Sequence, residues 1–184
     1  MKLFLRFIHK SFLLILVVLV GCPTTEEINK TDPDTLLNQG IKHLDKGQYD
    51  KAFSDFTKAI EINPSAEAYY RRGTAYKYKD WCEFLKGICI DPKYADAYYR
   101  SIDAYADKAI SDFSKAIELN PKYADAYCRR GIAYVDKAVS EGAKARRIDP
   151  ENAETYTRRK DAYLDKAISD FNKAIELNPK YAEV

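Results

Sequence analysis

Five Asn-Pro or Asp-Pro dipeptides, ending at Pro64, Pro92, Pro121, Pro150 and Pro179, recur at intervals of 28, 29, 29 and 29 residues. A fixed period of this size means stacked units, each burying its apolar face on a neighbour. Other words repeat in step with the prolines. Lys-Tyr-Ala-Asp-Ala-Tyr stands at 93–98 and 122–127, and Asp-Lys-Ala-Ile-Ser-Asp-Phe at 107–113 and 165–171. Only 7 Gly and 7 Pro occur in 184 residues, against 15 Tyr and a wealth of Ala, Lys and Asp. So few turn residues disfavour strands and hairpins. The predicted class is all-α.

At these positions the chain resembles the tetratricopeptide repeat family. The family's pattern is met most fully by Leu36, Gly40, Ala52, Phe56, Ala59 and Pro64, with Gly47-Gln48-Tyr49 as the turn between two helices. Later copies keep Tyr69, Gly73 and Tyr76, or Tyr127, Gly131 and Tyr134. They also keep Ala109, Phe113, Ala116 and Pro121, or Ala167, Phe171, Ala174 and Pro179. The resemblance covers 33–184 and implies a tetratricopeptide-like helical repeat array that binds a protein or peptide in a concave groove.

The copies are nevertheless short. From His43 to Ala52 is nine residues, but from Tyr105 to Ala109, Tyr134 to Ala138 and Tyr163 to Ala167 it is four, so five residues are missing where the inter-helix turn belongs. Apolar positions Ala95, Tyr98, Ile102, Tyr105, Ala109, Phe113 and Ala116 step by three or four, an uninterrupted helical stripe with no Gly or Pro to reverse it. The first repeat is therefore read as a helical hairpin, and the later 29-residue repeats as fused into long antiparallel helices of about 25 residues, roughly 37 Å each. The alternative keeps two short helices per unit, with Asp107, Asp136 and Asp165 as N-caps. Fusion calls the concave groove into question.

Residues 1–21 read as a signal peptide: three basic residues without an acid, then the apolar run Phe12–Val20. Nine apolar residues are too few to span a bilayer, which takes about 20. Leu19-Val20-Gly21-Cys22 resembles the lipobox of bacterial lipoproteins. That resemblance implies acylation of Cys22 and cleavage before it, and Pro23 after the Cys implies outer-membrane placement on the periplasmic face. An ordinary secretory signal with a chance Cys is the alternative. Residues 22–34 read as a flexible tether, leaving 35–184 as the repeat domain.

Removing Lys2, Arg6 and Lys10 with the signal leaves 27 basic against 28 acidic residues. Interspersed, balanced charge gives no case for nucleic acid, which calls for a concentrated basic surface. No phosphate loop, HExxH, GxSxG or Cys/His metal spacing occurs, so no catalytic residue, cofactor or metal is expected. His43 takes an aromatic position and reads as packing. Cys82 and Cys89 lie about 10 Å apart on one helix face, too far for a disulfide, and Cys128 reads as a small packing residue.

Arg71, Arg100, Arg129 and Arg158 recur every 29 residues. The resemblance places such residues beside the ligand groove, which suggests an acidic peptide or carboxylate partner suited to the guanidinium fork. Against this, Glu67, Asp96, Asp125 and Glu154 stand four residues before them and can pair along the helix. The stretch Leu37, Asn38, Ile41 lacks the Lys and paired Asn of the family's chaperone-tail clamp. The last residues, Tyr181-Ala182-Glu183-Val184, read as the first turn of a further helix, so the face around Phe171 and Ile175 is expected to be uncapped and open to a partner or a homo-oligomer.

The reading is an envelope-anchored protein–protein interaction scaffold that touches the membrane through its lipid only. The alternative is a self-packed structural or degenerate repeat protein with no ligand groove.

Overall fold

The computed structural model describes residues 32–90 and 95–182, with the side chains of 80–102 and 147–148 outside that description. The signal segment, Cys22 and most of the tether therefore lie outside the described residues, as do the side chains of Cys82, Cys89 and Arg100. The elements are α1 (Pro33–Asp45), α2 (Tyr49–Ile62), α3 (Ala66–Ile90), α4 (Ala95–Leu119), α5 (Ala124–Ala143) and α6 (Ala153–Leu177). A π turn, Lys144–Ile148, continues α5, and short 3-10 turns follow at Pro150–Asn152 and Pro179–Ala182. No strand occurs among the described residues.

Helix α1 begins two residues inside the segment read as tether. Asp32 caps it, accepting from the Thr35 amide at 2.8 Å, and Pro33 occupies the first turn where no amide donor is needed. Gly47, at φ 68°, turns the chain into α2, a left-handed conformation that glycine takes without steric cost. Helix stops follow the proline rule. Asn63, Asp149 and Asn178 all leave the helical region, at φ −147°, −147° and −144°, because the following ring crowds a helical conformation there.

Fusion is what the structure shows. Helices α3, α4 and α6 each run 25 residues without a break, and α5 runs 20 before its five-residue π turn. Asp107, Asp136 and Asp165 lie inside helices and cap none of them. The lost turn also changes which segments meet. In the α1–α2 hairpin Gly40 faces Phe56, sixteen residues on; in the long helices Gly73 faces Phe113 and Gly131 faces Phe171, forty residues on. A fused helix cannot fold its trailing half back on its leading half. The leading half of α3 therefore takes the trailing half of α4, and that of α5 takes that of α6.

These pairings are tight. A Cβ placed on Gly73 or Gly131 would stand 2.8 or 2.7 Å from a ring carbon of its phenylalanine, so only glycine fits beneath the ring. One core gathers Tyr70, Ala109, Phe113, Ala116, Ile117, Ala126 and Ala133, and a second joins Ala52, Phe56 and Ala75. Small alanines let the helices approach; the phenylalanines fill the space that results. Arg72 forks onto Asp112, both bonds at 2.8 Å, and Arg130 onto Asp170 at 2.7 and 2.8 Å, again forty residues on. Burial pushes the Asp112 carboxyl up, partly offset by Arg72.

Beyond these bodies the hairpins extend as arms, held to one another by charge. Lys137 lies 3.0 Å from Asp107 and 3.4 Å from Asp103, and Lys144 bridges Asp103 and Glu141.

Candidate functional site

Because α4 and α6 run opposite to α3 and α5, the four periodic arginines do not form one row. Arg71 and Arg129 sit in the leading halves of α3 and α5, on the body. Arg158 sits near the start of α6, on the arm, 73% exposed and 3.9 Å from Glu154. Arg100 belongs to the leading half of α4, and its side chain is outside the described residues.

The two body arginines differ in their partners. Arg71 is bonded to Glu67 at 2.6 Å and lies over the Tyr70 ring, so helix pairing accounts for it. Arg129 makes no ion pair among the described residues. Its expected partner, Asp125, instead accepts the Tyr181 hydroxyl, as Glu67 accepts that of Tyr123 one superunit earlier. Arg129 bonds the Tyr70 hydroxyl. Burial opposes its charge, but that bond and the surrounding tyrosines outweigh it and raise its pKa above the ordinary arginine range.

Beside Arg129, between α3 and α5, lies a cavity of about 240 Å³ lined also by Thr74, Lys77 and Tyr78. Lys77 reaches across to Asp136, whose carboxyl burial pushes up, partly offset by Lys77. The cleft thus offers one guanidinium free of any carboxylate among the described residues, one lysine shared with a half-buried carboxylate, and the ring of Tyr78. Such a set suits an acidic group with an apolar neighbour. Sequence reading singled out Arg129 but missed Thr74, Lys77 and Tyr78, whose only signal was that they closely follow Gly73.

Three stretches match family models: residues 33–65 and 153–181 match tetratricopeptide repeat models, and 106–137 a TPR repeat model, together just over half of the chain. The chain belongs to the tetratricopeptide-repeat family. In the first stretch the tetratricopeptide repeat is a true hairpin; in the last it is a single helix, α6. No curated protein matches the sequence. Among solved structures, the second TPR of Spaghetti (RPAP3), bound to HSP90 peptide SRMEEVD, is similar at 20% identity. That likeness covers 82% of this chain and 95% of that one, at a TM-score of 0.50. A TPR repeats protein from Bacteroides fragilis is 22% identical over 85% of this chain and 80% of its own, at a TM-score of 0.39. At this identity the first likeness bears on the fold alone, and it agrees with a helical repeat array.

Other sequence-predicted residues have plain roles. His43 is paired, its Nδ1 lying 2.6 Å from Asp55, rather than merely packed. Cys128 is half-buried and free, and burial raises its pKa, which keeps it a thiol. Phe171, expected on the open face, packs on Gly131; the exposed large apolar residues of α6 are Ile168 and Ile175.

Proposed function

We propose that the protein is a non-catalytic scaffold that captures an acidic segment of a partner protein in the cleft between α3 and α5. The observation that carries this is Arg129, a half-buried guanidinium with no carboxylate of its own among the described residues, beside a cavity shared with Lys77, Thr74 and Tyr78. Burial raises the value of such a charge, since a carboxylate arriving there meets less solvent screening. The HSP90 peptide held by the structurally similar Spaghetti domain carries acidic residues too, which is consistent with this chemistry.

The test is a panel of labelled acidic peptides. Arg129→Glu should cut binding at least tenfold while Arg158→Glu, far along the arm, leaves it unchanged; equal loss from both would sink the cleft. We also propose that Cys22 carries a lipid that holds the scaffold at the periplasmic face of the outer membrane, on the strength of its lipobox-like sequence. Radiolabelled palmitate should enter the wild type and not Cys22→Ser; label in both would remove the anchor.

A further inference from the structure

Two columns of the repeat are broken at the α3–α5 cleft. Four residues after Gly40, Ile102, Gly131 and Lys160 stand Leu44, Ala106, Val135 and Leu164, all apolar, whereas four residues after Gly73 stands Lys77. An apolar residue packs at that place without the desolvation cost of a charge. The lysine instead carries a charge into the wall of the cleft, which it lines together with Arg129. The second column holds Asp107, Asp136 and Asp165, each followed by Lys-Ala. Asp107 and Asp165 are exposed, but the side chain of Asp136 is only 27% exposed, at the point where Lys77 reaches across from α3 and donates to its carboxylate.

We propose that Asp136 is a resident competitor in the cleft: ionised, it holds Lys77 back from an arriving acidic segment, and protonated, it releases Lys77 to that segment, so the cleft binds more tightly in mild acid. This inference rests on the reading of the cleft as a site for acidic segments. With Asp136 ionised, Arg129, Lys77 and Asp136 give the cleft one net positive charge; with Asp136 protonated they give it two. Burial favours the neutral form of Asp136 and pushes its pKa up, with Lys77 offsetting part of the rise. Among the described residues Lys77 is the charged group that acts on Asp136. The other charged groups around it on the helices packed against α5 are engaged elsewhere: Lys79 of α3 with Asp50, Asp103 and Asp107 of α4 with Lys137, and Lys166 of α6 over the rings of Tyr134 and Tyr163. A proton on Asp136 and an anion in the cleft therefore strengthen each other's binding by the same factor.

The probe is a rhodamine-labelled peptide amide whose acidic side chains are cysteic acids, sulfonates that stay ionised throughout, titrated with the full chain and followed by anisotropy. Between about pH 7.5 and about pH 4.5, a range that runs down toward the ordinary aspartate value of about 3.9, wild-type binding should tighten about threefold or more. Asp136→Asn should bind at both pH values as tightly as the wild type does at the lower one. Adding Lys77→Leu, which restores the apolar residue of the other copies, should return Asp136→Asn to the weaker affinity at both. A wild-type affinity equal at the two pH values, a pH dependence that persists in Asp136→Asn, or tight binding that survives the double change would each overturn the proposal. The failure of the cleft itself reads differently: no saturable binding at either pH, or binding that Arg129→Glu leaves intact, would remove the acid-binding site and the competitor with it. Circular dichroism at both pH values confirms that each variant remains helical.

Discussion

A glycine under a phenylalanine ring is the smallest unit on which this fold depends. Gly131→Ala would put a methyl carbon 2.7 Å from the Phe171 ring, and overpacking of this kind costs about 1–3 kcal/mol. Urea denaturation should register that loss, and Gly142→Ala, whose nearest neighbour would be 3.7 Å away, should not share it. Proton binding gives a second prediction. Burial raises the pKa values of Tyr76, Tyr123, Tyr134 and Tyr181; those of Lys137 and Lys144 rise too, because their carboxylate partners outweigh the burial that opposes their charge. All six hold their protons more tightly folded than unfolded. Their stabilisation is complete below about pH 10 and is lost as pH rises through the folded values. Tm should therefore fall steeply in alkali, with tyrosinate absorbance appearing as the helices melt. Much at this scale was legible in the sequence, including the glycines, the phenylalanines and the arginine period. The Arg72–Asp112 and Arg130–Asp170 forks were not, because local spacing directs attention to partners four residues away rather than forty.

Between residue and molecule stands the long helix, and its fusion was legible because a stripe of apolar residues crossed the place where a turn was missing. A proline distinguishes the fused helix from two short ones. Lys108→Pro would occupy a tolerated first-turn position if Asp107 were an N-cap. In the middle of α4 it should instead cost about 3 kcal/mol or more, since it removes a backbone bond and crowds the preceding turn. Thermal melting with and without this change measures the difference. The π turn that ends α5 had no sequence signal; Lys144, its first residue, pairs locally with Glu141 and reaches across to Asp103, a contact made only after the arms meet.

The whole molecule is a chain of neighbours, α1 on α2, α2 on α3, and so on to α6. Stability in such arrays is a sum of nearest-neighbour terms rather than one global quantity. Phe171→Ala should accordingly speed amide exchange across 124–177 and leave 33–62 protected, as hydrogen exchange would reveal. What sequence reading did not find here is which half pairs with which. The trailing halves of α4 and α6 are almost the same sequence, so every leading half could accept either; the choice lies in the geometry of a fused helix.

That choice imposes a parity on the array. Of the long helices only α3 and α5 carry a leading glycine, each filled by the next helix, while Ile102 and Lys160 take that place in α4 and α6, so one extra unit of the α3 type would add a glycine with no ring above it. Recombination between copies would preserve the fold only when it adds or removes units in twos. The period written in the sequence is thus 29, but the period available to the gene as it grows or shrinks is 58.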